Sequence, residues 1–374
     1  MTSTTHLVTG GTGMLGGALV LELLSRTEGE IWCLTRETRT KTAAERLNAA
    51  VMLAAEDQDR LADLERLEAQ RRLRAVPGDI TAPRGGLAEV PRPAGRIHLW
   101  HSAAALFYEP GFAAESYRSN VIGTAEMILL AREWGAELTY VSTAYVAGCR
   151  KGLQYEALPP PDQPVNNIYE RSKICAELLV AGSGLCWRIL RPSAVVAAGA
   201  TLRTRSSSGL YDVAAKVGRW KRQYHQRYGP LLLERPALMC GHGESELNLV
   251  PLDHVVGHGV TAALEGPPRT VYHLVNEAAP TVKAMYSAAF THAGLPPPEF
   301  VGTSDQLQAT DRLLANALAF HVPYTCTPKT FDTSHTAALV GGEAMKFPLP
   351  ERTIRTLLER QVEQPGSYPR LTRR

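Results

Sequence analysis

Tyr169 and Lys173 stand four residues apart in Tyr169-Glu-Arg-Ser-Lys173, a stretch that reads as the opening of a helix. At that spacing a phenol and an ammonium share one helix face, one turn apart. A nearby positive charge favours phenolate over phenol, so the pair predicts a tyrosine drawn down toward working pH and usable as a general acid. Upstream, Tyr140-Val-Ser-Thr143 closes an apolar run. A hydroxyl there can hold a carbonyl oxygen while hydride reaches the carbon; Thr143 is the expected hydroxyl, with Ser142 as its neighbour. A tyrosine and lysine at this spacing also occur by chance in ordinary helices. They gain meaning here from a second feature near the N-terminus.

That feature is Thr9-Gly10-Gly11-Thr12-Gly13-Met14-Leu15-Gly16, directly after a short apolar run. Glycines at 10, 13 and 16 between a strand and a helix fit a dinucleotide loop. Gly10 allows the turn, Gly13 lets backbone approach a pyrophosphate, and Gly16 lets the helix pack close to the sheet. Backbone N–H groups from Thr12 through Met14 and Leu15 would face the anion. The second strand ends at Arg36, with Arg39 and Arg46 beyond, where sites selective for NAD carry a carboxylate. A guanidinium can fork onto a 2′-phosphate, so Arg36, and Arg46 with it, predict NADPH/NADP rather than NAD. Asp79, with Ile80, follows the third strand and could accept from the adenine amino group. Ser102 and Ala103 follow the fourth and would let the dinucleotide lie against backbone.

Holding such groups together requires an alternating chain, and the sequence alternates. Strands are expected at 6–9, 30–35, 73–76, 96–100, 137–141 and 185–190. Helices are expected at 14–25, about 42–72, 111–134 and 169–181. Strands alternating with helices imply right-handed crossovers and a parallel sheet covered on both faces. The fold class expected is α/β, a Rossmann-type doubly wound parallel sheet with a smaller, mostly helical C-terminal part that binds substrate. The expected division is 1–270 for the NADP-binding domain, with a substrate-side insertion at about 203–246, and 271–374 for the C-terminal domain. The insertion reads as irregular, basic and aromatic (Arg203, Arg205, Lys216, Arg219, Trp220, Lys221, Arg222, Arg227). It is either a solvated face or a docking surface for a phosphate-bearing arm or an acidic carrier protein.

Composition narrows the classes further. The chain has 374 residues, 40 Lys+Arg against 37 Asp+Glu and 44% hydrophobic residues. So balanced a charge does not suggest nucleic-acid binding, and no apolar run is long enough to span a membrane. The first residues carry no secretory leader pattern, and six scattered cysteines form no CxxC pair. A cytoplasmic, reducing setting fits best. His254 and His258 invite a metal reading with His242 as third ligand, but Asp253 more plausibly caps a helix and the histidines pack, so no metal is expected.

With these motifs in place, the chain resembles the extended short-chain dehydrogenase/reductase superfamily, and within it the thioester reductase and fatty acyl-CoA reductase (male-sterility NAD-binding) branch. Residues 9–16 carry that resemblance, together with Arg36, 44–47, 78–81, 85–87, Asn120-Val-Ile-Gly-Thr124, 142–146, 169–173 with Glu177, 191–193 and 249–253. It spans about residues 5–275 and fades beyond. The resemblance implies Thr143, Tyr169 and Lys173 as a catalytic triad, with Asn120 supporting a proton-relay water. It places Pro192 and Ser193 beside the nicotinamide. Ala144-Tyr145 replaces the Asp-Glu pair of the superfamily's sugar-nucleotide dehydratases, which argues against dehydration. No adenylation or carrier domain precedes residue 1, so the chain is expected to meet its substrate as a separate protein. The expected reaction is NADPH-dependent hydride transfer to a carrier- or CoA-bound acyl thioester, giving an aldehyde or alcohol. A reductase of a free ketone or aldehyde, or a non-catalytic dinucleotide sensor, are the alternatives.

Overall fold

Most of the short apolar runs of the first two hundred residues become strands that are buried along most of their length, as both-face coverage requires, while the edge strand at Leu73–Pro77 is largely open. A computed structural model describes residues 4–66, 69–229 and 235–362. Its main sheet comprises β1 (Thr4–Thr9), β2 (Ile31–Thr35), β3 (Leu73–Pro77), β4 (Arg96–His101), β5 (Glu137–Val141), β6 (Trp187–Pro192) and β7 (Thr270–Leu274). All pairings are parallel, in the order β7-β6-β5-β4-β1-β2-β3. The order reverses between β1 and β4, the switch point where open α/β sheets bind ligands. Thr9 sits there, in register with Leu34 of β2 and His101 of β4.

Helices α1 (Met14–Arg26) and α2 (Ala43–Asp57) cover one face, through Leu19, Leu23, Leu47 and Val51. Helices α3 (Gly123–Trp134) and α4 (Ile168–Ala181) cover the other, through Met127, Leu130, Ala176 and Val180. A second core lies beside the sheet. It joins α5 (Leu210–Tyr228), α6 (Val282–His292) and α7 (Glu351–Glu359) through Tyr211, Val217, Tyr286, Phe290, Ile354 and Leu357.

Several expectations need correction. The helix expected over 42–72 breaks after Asp57, where Asp59 takes a positive φ of 56°. The helix expected over 111–134 is interrupted by a π-helical turn at Arg118–Ile122. The supposedly irregular insertion contains α5, nineteen residues long, whose buried stripe includes Leu210, Val213, Val217 and Trp220. The basic side chains that left this segment looking irregular lie mostly outside that stripe; that of Arg227 lies outside the described residues. Finally, the second core draws on both 196–249 and 282–358, while β7 belongs to the main sheet. A boundary at 270/271 therefore cuts between two residues of one strand.

Asp253 does not cap its helix, since Pro251 holds the N-cap position. Its Oδ1 instead accepts from the Gly199 and His254 amides, at 3.0 and 3.2 Å. The His254 and His258 rings pack against each other and against Phe347. Among the described residues no group of three His, Cys, Asp or Glu is placed to hold a metal, and no helix is long and apolar enough to cross a membrane.

Candidate active site

The glycine loop owes its shape to three close approaches. Gly10 has φ of 78°, and a Cβ there would lie 2.7 Å from the Ala103 amide nitrogen. A Cβ on Gly16 would lie 2.0 Å from the Gly10 carbonyl oxygen, so α1 can start only where residue 16 has no side chain. Gly13 differs: its Cβ would meet only Gly10 O, at 3.4 Å, so it points into open space. Gly13 is the N-cap of α1 and supplies no side-chain cap, and no acid lies in the first turn. The N–H groups of Met14, Leu15 and Gly16 thus have no intrahelical acceptor, which makes an anion cradle. Thr12 is exposed at its rim. A dinucleotide pyrophosphate fits this cradle.

At the end of β2 the arginines converge. Thr42 and Glu45 cap α2 reciprocally, which brings Arg46 back over the strand end, where its guanidinium donates to the Arg36 carbonyl. The Arg36 side chain is largely exposed and lies 3.8 Å from Asp79 Oδ2. Asp79 Oδ1 accepts from the backbone and hydroxyl of Thr81, at 2.9 and 3.0 Å. Its second oxygen faces Arg36, so the carboxylate expected to read adenine is substantially engaged within the chain. Ile80 packs against Gly123, where a Cβ would come within 3.0 Å of Ile80 Cδ1.

Between cradle and α4 runs a buried chain of hydrogen bonds. Thr124 Oγ1 donates to Asn120 O at 2.6 Å, so it must accept from His101 Nε2 at 3.0 Å. Burial, with Lys173 nearby, holds His101 down to about 3 and hence neutral. Its Nδ1 therefore accepts from Thr9 Oγ1 at 2.8 Å, and Thr9 Oγ1 accepts from the Ala103 amide at 3.1 Å. One tautomer satisfies every member.

Asn120 points inward because the π turn re-aims it. Its Oδ1 accepts from the Ala105 amide at 2.7 Å; its Nδ2 donates to Ala105 O at 3.0 Å and to Ser172 Oγ at 2.9 Å. Both ends of the amide are thus engaged in clamping the β4 loop to α4. Ser193 Oγ donates to Asn248 at 2.6 Å, and the Pro192 carbonyl faces Thr143 Oγ1 at a long 3.5 Å. Thr143 Oγ1 also accepts from the Tyr145 amide at 3.2 Å. Its own proton is therefore only loosely held.

Asn167 caps α4 by accepting from the Glu170 amide, which places Tyr169 in the first turn and Lys173 one turn on. Lys173 is buried, donates to Val141 O at 2.6 Å, and lies 4.2 Å over the Tyr140 ring. Burial lowers it to about 7 against the opposing pull of Glu177. Glu177 is itself paired in a fork with Arg191, at 2.9 and 2.6 Å. Tyr169 departs from expectation: burial, then Tyr108 and Glu170, push its phenol above the ordinary range rather than below. The low-dielectric surroundings set the direction, and the group stays a protonated donor. The buried hydroxyls of Tyr140 and Ser142 have no hydrogen-bond partner among the described residues.

Sequence reasoning missed Tyr140 as the aromatic face beneath Lys173, His101 as the link between loop and helix, and a set of rings at Tyr108, Phe320 and Tyr324. The alternation of β5 could have flagged Tyr140. Nothing near 320–324 could have.

Comparison with known proteins places this geometry. A family model described as Male sterility protein, an NAD-binding family, matches residues 8–258. The isonitrile lipopeptide synthase of Streptomyces coeruleorubidus is 32% identical over 218 residues, which cover 55% of this chain and 14% of that protein. The isonitrile lipopeptide synthase of Mycobacterium tuberculosis is 37% identical over 147 residues, covering 38% and 6%. The chain therefore spans only a small fraction of these relatives. Among solved structures, the terminal R domain from the myxalamid PKS-NRPS pathway superposes with a TM-score of 0.73 at 24% identity, over 96% of this chain and 90% of that one. A thiolation-reductase di-domain from an archaeal non-ribosomal peptide synthetase gives 0.71 at 18% identity, over 96% and 75%. At those identities the likeness speaks for the fold.

Proposed function

The chain belongs to the Male sterility protein family of NAD-binding domains, oxidoreductases that take a nicotinamide dinucleotide, and on that premise we propose that it is an NADPH-dependent reductase of carrier- or CoA-bound acyl thioesters. The product is an aldehyde or, after a second hydride, an alcohol. The observation that carries the reading is Lys173, buried and held by a backbone carbonyl and an aromatic face, one turn from Tyr169 on a helix clamped beside the glycine cradle. A charge kept in so poor a setting is expected at a working site rather than a structural one.

The cradle formed by Gly10, Thr12, Gly13, Met14, Leu15 and Gly16 would hold the pyrophosphate. Arg36 and Arg46 would take the 2′-phosphate, and Ile80, Ser102, Ala103, Pro192 and Ser193 would line the remaining length. The bound nicotinamide supplies the hydride. Thr143 Oγ1, its proton loosely committed to Pro192 O, turns to the thioester carbonyl oxygen. Tyr169 donates the second hydrogen bond to that oxygen and its proton as charge develops there. Lys173, in its protonated form, stabilises the phenolate left by proton transfer. The tetrahedral adduct then collapses, the thiol leaves, and the aldehyde is released. Asn120 acts here as a positioning residue, since its amide holds the Ala105 loop against Ser172.

Incubation with NADPH and a panel of acyl thioesters and free carbonyls tests this. Aldehyde and free thiol should form with one equivalent of NADPH oxidised, and Tyr169→Phe should lower kcat about 100-fold or more while NADPH still binds. Turnover of free carbonyls with none of the thioesters would refute it.

A further inference from the structure

We infer that the rings surrounding Tyr169 form a wall for a bulky, ring-bearing apolar acyl group, so that aryl-substituted acyl thioesters are preferred over short or anionic ones. This names the substrate class of the site proposed above and rests on that reading.

The wall is continuous. Tyr169 meets Tyr108 edge-on with centroids 5.5 Å apart, and Tyr108 meets Phe320 at 4.6 Å. Phe320 meets Tyr324 at 5.7 Å, and Tyr324 meets Tyr145 edge-on at 5.0 Å. Four distant stretches of sequence supply these rings: the loop after β4, the turn after β5, α4 itself, and the C-terminal segment 320–324. Rings that merely fill a core in this chain are sealed, with Tyr211, Tyr272, Tyr286 and Phe290 all at or below 1% exposure. The five rings of the wall are all only partly buried, so each keeps some surface open. Edges and faces offered together suit another aromatic ring, which gains from tilted and offset contacts beyond its area alone.

The charges around the wall are already committed. Glu170 accepts from the Asn166 backbone at 2.7 Å, from the Asn166 side chain and from Tyr324 OH at 2.7 Å. Asn167 donates to the same hydroxyl at 2.8 Å, so Tyr324 is fixed in orientation. Lys216 stands 5.9 Å from the Phe320 ring and is paired with Asp212 at 2.8 Å, while Asp212 also accepts from His321 at 2.9 Å. Lys329 donates to Arg150 O at 3.2 Å. Of the basic residues once candidates for drawing in an anionic substrate, Arg205 pairs with Glu56 and Asp57, and Lys221 donates to the carbonyls of Ala293 and Gly294. An acyl chain ending in a carboxylate would be desolvated against rings whose neighbouring Lys216 is already paired with Asp212 and whose Lys173 is already held by the Val141 carbonyl.

Binding and turnover separate this inference from the reaction itself. Unreactive amide analogues of N-acetylcysteamine thioesters, carrying phenylpropionyl, propionyl or succinyl groups, are titrated calorimetrically into the protein with saturating NADP. The phenylpropionyl analogue should bind at least tenfold more tightly than the propionyl one, about 1.4 kcal/mol, and the succinyl analogue no better than the propionyl. Phe320→Leu and Tyr108→Leu should each cut the ratio below about threefold, and Phe320→Trp, which keeps a ring, should preserve it. Equal affinities in the unaltered protein, tightest binding of the succinyl analogue, or a ratio unmoved in both leucine variants would overturn the wall. Aldehyde formation from the matching thioesters is scored separately. Its failure with the binding preference intact would sink the reaction and leave the wall standing.

Discussion

Acidification from pH 7.5 to 5 should unfold this protein through its buried histidines. His6, His98, His101 and His273 are each at most 4% exposed. Burial is the leading cause in all four, lowering His6 to about 4, His101 and His273 to about 3, and His98 well below its ordinary value. Positive neighbours reinforce this, Arg72 at His6, Lys173 at His101 and Arg191 at His273. The unfolded chain binds protons at these sites near pH 6.5 and the folded chain does not, so stability is full above that pH and is lost as pH falls. At pH 5 each ring withholds about 2 kcal/mol, and the four together ~8 kcal/mol, comparable with the whole stability of a typical domain. Glu156 and Glu170, raised by burial, act with the opposite sign and trim the total. Lys173, lowered to about 7 by burial, takes up its proton in the folded chain between pH 7.5 and 6 and adds on the order of 1 kcal/mol in the same direction, and below pH 6 it is charged in both states and adds nothing to the slope. Urea unfolding followed by circular dichroism at half-unit pH steps measures the effect. The slope should approach four protons below pH 6, near 5 kcal/mol per pH unit. A change under about 2 kcal/mol between pH 7.5 and 5 would refute the reasoning, because rings so deeply buried would then have to accept charge in place. Loss of dinucleotide binding should accompany the transition, since a proton on His101 Nδ1 would displace the hydroxyl hydrogen of Thr9 that anchors the loop.

Other outcomes are accessible by substitution. Gly13→Ala should fold with an unchanged melting temperature yet bind dinucleotide at least tenfold more weakly, whereas Gly16→Ala, whose Cβ would lie 2.0 Å from Gly10 O, should lower the melting temperature as well. Arg36→Ala should raise the Kd for NADPH tenfold or more and leave that for NADH nearly unchanged, measured by quenching of nucleotide fluorescence. Glu177→Gln would leave Arg191, 3% exposed, without its carboxylate, and should remove about 3–5 kcal/mol from the urea-derived stability. Tyr140→Leu should shift the alkaline limb of the activity–pH profile down by roughly 0.4–1.5 units by removing the face under Lys173, while Tyr140→Phe should leave it in place.

The first sheet was legible because its strands are short apolar runs separated by helices of regular period, and both signals are local. The glycine loop was legible for the same reason: its close approaches involve residues three to six apart, apart from the contact with Ala103. What could not be read depends on partners far along the chain. The π turn at Asn120 exists to reach Ala105 and Ser172, neither of which marks residues 118–122 in advance. Thr270–Leu274 is an ordinary pentapeptide until β6 lies beside it. The direction of the Tyr169 shift was misjudged because Lys173 could be counted from the sequence and the burial of the phenol could not.

Chemistry and choice of substrate rest on different cores in this chain, and that separation has a physical consequence. Thr143, Tyr169 and Lys173 hang from β5 and α4, whose packing is closed by the sheet, and the hydrogen-bond chain through His101 ties them to the cradle. Phe320 and Tyr324 come instead from a segment that joins the second core, and they reach the site through two side-chain anchors, Tyr324 on Glu170 and His321 on Asp212. Altering Phe320 therefore changes what is held near Tyr169 without removing a group that shifts its phenol, whereas Tyr108 touches Tyr169 directly and helps to hold its proton. Substitutions at 320 should move KM among substrates, and substitutions at 143 or 173 should move kcat for all of them. The exception is Glu170, which touches both sets: next to Tyr169, its carboxylate holds the Asn166 backbone at the start of α4 and orients Tyr324. Removing its carboxylate should alter turnover and selectivity together, which a change at Phe320 would not.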